Sequence, residues 1–86
     1  MGKYSKLREQ ILSGASDSNI SFPELCALLK RLGFEERTRG SHHIFTCQEI
    51  PEILNLQPKG TKAKRYQIKQ VRRVLVNYLS GEKDVD

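Results

Sequence analysis

The sequence predicts an α+β domain of two layers: a three-stranded antiparallel sheet covered by helices on one face, with an extra N-terminal helix. Two observations carry this prediction. Apolar residues recur at helical spacing towards both ends of the chain, whereas residues 34–57 form short runs rich in β-branched and aromatic residues. Eighty-six residues suffice for one domain, and short links between the strands favour an antiparallel meander.

The first two helices have clear boundaries in the sequence. Residues 4–13 carry apolar side chains at helical spacing, and Gly14 follows where the helix should stop. The second helix starts at Ser21, which can cap it while Glu24 reaches back, and its apolar stripe runs as far as Gly33. We expect both helices to be amphipathic.

The middle of the chain predicts three short strands. Residues 34–39 and 42–47 are the first two, joined by a turn at Gly40–Ser41. Residues 48–52 contain Pro51 and are predicted to be a connection, so the third strand covers residues 53–57. The basic segment that follows is predicted to be a loop with little to bury. Residues 67–79 then form the last helix, with Ile68, Val71, Leu75 and Tyr78 as its buried stripe.

Positive charge is concentrated near the C-terminus. The net charge of the chain is +5, yet residues 59–73 contain seven basic residues and no acidic one. Such a strip favours a polyanionic partner, although it could also be no more than a solvated surface. The seven residues are Lys59, Lys62, Lys64, Arg65, Lys69, Arg72 and Arg73.

Cysteine content and hydropathy exclude some classes of protein. Two cysteines are too few for a disulfide scaffold, and Cys26 falls on the apolar face of a predicted helix, so we expect a reduced, cytoplasmic protein. The sequence lacks both an apolar run of the roughly 18 residues needed to span a membrane and a signal-peptide pattern.

The only two histidines, His42 and His43, are adjacent at the start of the second predicted strand. Because side chains alternate along a strand, they must point to opposite faces, and at most one can serve a given site. A histidine can act as general acid or base in RNA cleavage, where the 2′-hydroxyl is the nucleophile. The alternatives are ordinary polar strand residues, a zinc site with Cys47, or a Cys47–histidine nucleophile pair; the last two lack supporting residues.

The motif R-G-S-H-H-I-F, followed by a short strand, a basic loop with G-T-K and a helix reading Q-I-K-Q-V-R-R-V-L, resembles the HicA family of toxin–antitoxin mRNA interferases. The resemblance covers residues 21–79. It implies a fold similar to the double-stranded-RNA-binding domain, with the order α–β–β–β–α. It leaves residues 1–20 as an N-terminal extension, 21–80 as the RNA-binding and nuclease domain, and 81–86 as a frayed tail.

The resemblance also implies a function. The catalytic residue corresponds to His42, or to His43 as second choice, because some relatives have one more residue before the histidine. Metal-independent cleavage of mRNA without a cofactor and a HicB-type antitoxin partner are expected. Gly40 and Ser41 would contact RNA together with the seven basic residues. A non-catalytic RNA-binding module and an adaptor for an acidic protein are the alternative functions.

Overall fold

The computed structural model describes residues 2–79 and confirms the predicted α+β architecture. A three-stranded antiparallel sheet has the strand order β1-β2-β3, and a small two-stranded hairpin stands apart from it. The predicted tail, residues 81–86, lies outside the described residues. The elements in chain order are α1 (Lys3–Ser13), a single 3-10 turn (Asp17–Asn19), α2 (Phe22–Arg31), β1 (Glu35–Arg39), β2 (His42–Cys47), β3 (Ile50–Leu56), β4 (Pro58–Lys59), β5 (Lys62–Ala63) and α3 (Arg65–Tyr78).

Helix α2 begins as its sequence predicts. The Ser21 hydroxyl accepts a hydrogen bond of 3.4 Å from the backbone N–H of Glu24, which satisfies one of the free amides of the first turn. The apolar stripe of the helix, which includes Leu25, Leu28 and Leu29, is fully buried in the core. Burial of this stripe is what holds α2 against the sheet.

The register of the sheet assigns each strand residue to a face. Cross-strand partners share a face, and Phe45 of β2 pairs with Glu36 of β1 and Leu54 of β3. Phe45 and Leu54 are buried in the same core cluster as the helices. The alternate residues therefore belong to the opposite face, on which Ile53 is 65% exposed.

Two predictions about the connections are wrong. Strand β3 begins at Ile50 and includes Pro51, because β3 is an edge strand, where a missing N–H donor is tolerated. The basic segment is also not a plain loop, since it folds into the β4–β5 hairpin. Ala63 of this hairpin is buried and donates its backbone N–H to Ile20 O at 2.9 Å. Hydrogen bonding to the residues around the start of α2 thus orders a segment that has few apolar residues.

Helix α1 belongs to the same core as the rest of the domain. Its residues Leu7 and Ile11 are buried in the cluster that α2, α3 and the sheet share. Leu12 of α1 is 39% exposed, and Tyr78, which the sequence predicts to lie on the buried stripe of α3, is 41% exposed. The helices contact one another through narrower faces than the sequence pattern predicts.

Candidate functional site

Tight turn geometry places the two histidines. Gly40 has a φ of 58°, in the left-handed region that favours glycine, and it closes the β1–β2 hairpin immediately before them. Thr38 pairs with His43, and Arg39 pairs with His42. The histidines consequently start β2 on opposite faces of the sheet.

His42 is exposed and lies on the open face of the sheet. A hydrogen bond of 3.1 Å joins its Nδ1 to the side-chain oxygen Oδ1 of Asn55 on β3. Because an amide oxygen only accepts, Nδ1 carries the proton and donates. In the neutral ring Nε2 is then the basic nitrogen, and it is available to take a proton from a substrate.

His43 faces the helices and is half-buried. Its Nδ1 lies 2.6 Å from Glu36 Oε2, and the Phe22 ring contacts it edge-on with centroids 4.9 Å apart. Glu36 also forms an ion pair of 2.8 Å with Lys30. Hydrogen bonds from Lys30 and then from His43 hold the pKa of the Glu36 carboxyl below its ordinary value. His43 is therefore part of a charged network beneath the sheet.

A chain of polar side chains connects the histidine turn with the start of α3. Gln57 Nε2 donates to Ser41 Oγ at 2.8 Å, and Lys64 Nζ donates to Gln57 Oε1 at 3.1 Å. The buried Gln67 accepts from the backbone N–H of Gln57 at 3.0 Å and donates to Asn55 O at 3.5 Å. These contacts place the N-terminal end of α3 beside β3, the strand that pairs with β2 and carries the Asn55 partner of His42.

Five of the seven basic residues line one open concavity, which we call the basic groove. It has a volume of about 1170 Å³, and no acidic residue lines it. The exposed ring of Tyr66 offers a surface on which a base could stack. The groove comprises Ser18, Pro58, Lys59, Lys62, Ala63, Lys64, Arg65, Tyr66 and Lys69.

Arg72 and Arg73 lie outside the basic groove. Arg72 donates from Nε to Ile11 O at 2.8 Å and pairs with Asp17, so its guanidinium is engaged within the fold. This guanidinium lies beside Gly14, whose φ of 74° is in the left-handed region that favours glycine. Arg73 is exposed and pairs with Glu52 at 3.2 Å. The sequence groups seven basic residues together, but these two are paired with acidic residues of the fold and are less available to a partner.

Sequence reasoning did not single out Asn55, Gln57 and Gln67. Only Gln67 carries a signal, because it occupies a position on the apolar stripe of α3, four residues before the buried Val71. A polar residue at such a position must find a buried partner. Asn55 and Gln57 gain their roles from the pairing of β2 with β3, which the sequence does not reveal.

Comparison with known proteins bears on the family of the chain. The family model described as the HicA toxin of bacterial toxin–antitoxin systems matches residues 22–75, from the start of α2 into α3. No curated protein and no solved structure gives a significant match. No helix within residues 2–79 is long and apolar enough to cross a membrane. The match covers well over half of the chain, which therefore belongs to the HicA family of bacterial toxins, whose action an antitoxin partner opposes.

Proposed function

We propose that the protein is a metal-independent endoribonuclease of the cytoplasm that binds mRNA in the basic groove and cleaves it with His42. The observation that carries this proposal is the placement of an exposed histidine, its Nδ1 bound to Asn55, next to a polar chain that leads to Lys64. The chemistry needs a proton acceptor and cationic support for a phosphate, and these residues can supply both.

The proposed reaction starts with the 2′-hydroxyl of the RNA. His42 Nε2 takes the hydroxyl proton while the 2′-oxygen attacks the adjacent phosphorus, and the bond to the 5′-oxygen of the next nucleotide breaks. The leaving oxygen takes up a proton, from the histidine or from water, and a cyclic phosphate remains on the first fragment. Lys64, which is connected through Gln57 to Ser41 beside His42, would offset the charge that develops on the phosphate.

The test is cleavage of a defined mRNA in the presence of EDTA. We expect wild type to cleave and His42→Ala to lose roughly 100- to 10,000-fold in rate, the range that a general acid or base contributes. His43→Gln is the matched variant, because it removes the adjacent imidazole on the other face. If His43→Gln abolishes cleavage and His42→Ala does not, the catalytic role passes to His43.

Two further outcomes would contradict the proposal. Cleavage that stops in EDTA, although circular dichroism shows that the protein is still folded, would exclude a metal-independent mechanism. RNA that is bound but stays intact on prolonged incubation with wild type would instead identify a non-catalytic RNA-binding module. Binding is measured separately, by fluorescence anisotropy, so that loss of cleavage is not mistaken for loss of affinity.

We propose that the antitoxin is of the HicB type and covers His42 together with the basic groove. Blocking both would prevent binding and cleavage at once, and the positive groove would attract an acidic surface. The expected result is that the complex neither binds nor cleaves RNA, and that His42 is shielded from diethyl pyrocarbonate. A complex in which His42 still reacts at the rate of the free toxin would overturn this arrangement.

A further inference from the structure

Three potential metal ligands of different chemical types meet on the helix-facing side of the sheet. Cys26 comes from α2, Glu36 from β1 and His43 from β2, so residues far apart in sequence converge. A sulfur, an oxygen and a nitrogen of these side chains all lie within 4.8 Å of one another. Among residues 2–79 this is the one group of three such ligands. This group differs from the alternative zinc site of His42, His43 and Cys47 that the sequence alone suggests.

The spacing is close to what a tetrahedral ion requires. Zinc bonds of about 2.3 Å to sulfur and about 2.0–2.2 Å to nitrogen or oxygen place neighbouring ligand atoms roughly 3.3–3.6 Å apart. His43 Nδ1 and Glu36 Oε2, now 2.6 Å apart, would separate by about 1 Å to admit the ion. Ligand atoms that lie as far as 4.8 Å apart would have to approach by a similar amount.

The charges around the cluster are compatible with a divalent cation. Lys30 pairs with Glu36 through Oε1, which leaves Oε2 for another partner. Cys26 is buried beside this pair. Zinc binds cysteine as the thiolate, so binding would release one proton to solvent as the sulfur–metal bond forms. Thiolate and carboxylate supply two negative charges against those of the ion and of Lys30, which remains paired with Glu36.

We propose that Cys26, Glu36 and His43 form a Zn²⁺ site in which the three side chains supply three ligands and water the fourth. The side chain of His43 is 26% exposed, so the ion would reach the cluster from solvent past this residue. The ion would link α2 to the β1–β2 hairpin and stabilise the fold. This site goes beyond the proposed function, because it lies on the opposite face of β2 from His42 and takes no part in cleavage.

The experiment is titration of the full, EDTA-stripped and reduced chain with Co²⁺, a spectroscopic substitute for zinc, and with Zn²⁺. We expect one ion per chain, a thiolate-to-Co²⁺ charge-transfer band in the near ultraviolet, and a Zn²⁺-dependent rise in Tm. Loss of an outer partner of a metal ligand typically weakens affinity about 10- to 100-fold, so loss of a ligand itself should weaken it at least about 100-fold. Cys26→Ala, Glu36→Gln and His43→Gln are the test variants.

Cys47→Ala is the matched control, because it removes the other cysteine and leaves the cluster intact. The control should keep the charge-transfer band, whereas Cys26→Ala should lose it. Circular dichroism confirms that each variant is folded, and Glu36→Gln keeps the test valid if Cys26→Ala does not fold. Absence of the band in wild type, or its survival in Cys26→Ala, would overturn the site. Both measurements are made without RNA, so failure of the zinc proposal is distinguishable from failure of the proposed RNA cleavage.

Discussion

At the scale of single residues, the two histidines differ because alternation along β2 gives them different neighbours. His42 meets the amide of Asn55 on the open face, whereas His43 meets Glu36 and the Phe22 ring beneath the sheet. A neutral amide fixes the tautomer of an imidazole without adding charge. His43 instead shares Glu36 with Lys30, so its ring is held within an ion-pair network. The two imidazoles therefore differ in the groups that bind their Nδ1 atoms, and His42 is the more exposed of the two.

Asn55 is expected to act as a positioning residue for His42. Asn55→Ala should lower the rate of RNA cleavage by less than the roughly 100-fold or more expected for His42→Ala, because the imidazole remains but is free to rotate. Asn55→Asp should retain cleavage and shift the acid limb of its pH–rate profile to higher pH, since the carboxylate favours the protonated ring. The measurement is the rate of mRNA cleavage over a range of pH.

Asn77→Ala is the matched control, since Asn77 is an exposed asparagine on α3. It should leave both the rate and the pH profile unchanged. A purely structural role for Asn55 would lower the melting temperature without moving the profile of Asn55→Asp, and that result would contradict a positioning role.

At the scale of elements, the N-terminal extension is joined to the helix that carries most of the positive strip. Leu7 and Ile11 of α1 are buried in the common core, and Arg72 of α3 bonds to Ile11 O and to Asp17. Helix α1 therefore contributes to the stability of the domain. It also sets the position of α3, whose first turn contributes to the basic groove.

Arg72→Ala should destabilise the fold. The change removes the partner of the half-buried Asp17 carboxylate and one of the two donors to Ile11 O, a loss that costs about 1–3 kcal/mol in the free energy of unfolding. Arg73→Ala is the matched variant, because Arg73 is exposed, and it should change stability by less than about 0.5 kcal/mol. Urea unfolding measures both values, and equal stabilities would contradict a structural role for Arg72.

At the scale of the whole molecule, the positive charge divides into two parts with different roles. Five basic residues line the basic groove, and the two arginines further along α3 pair with acidic side chains elsewhere in the fold. Phosphate contacts release counterions from nucleic acid, so each one makes RNA affinity more sensitive to salt. The groove residues are therefore expected to determine that dependence.

Lys69→Gln should weaken RNA binding uniformly across sequences and reduce the slope of log affinity against log salt by roughly one unit. Lys6→Gln is the control, because it removes one positive charge from an exposed position on α1 outside the groove. Anisotropy titrations at several salt concentrations measure the slopes. A loss confined to particular RNA sequences, or an equal change in the control, would contradict a phosphate contact at Lys69.

The sequence by itself determined the helices, the first two strands and the opposite orientation of the two histidines. These features depend on local signals: the capping serine of α2, the period of its apolar stripe and the alternation along β2. The motif around Gly40 and the segments that follow it also indicated the family. The match of the family model over residues 22–75 confirmed that inference.

Only the tertiary structure decided which side chains meet. The pairing of β2 with β3 places Asn55 beside His42, and packing of the β4–β5 hairpin on α2 shapes the basic groove. The partner of Arg72 lies 55 residues away, and Cys26, Glu36 and His43 come together from three elements. Contacts of this kind depend on how the elements pack, and the local periodicity of a sequence does not determine that packing.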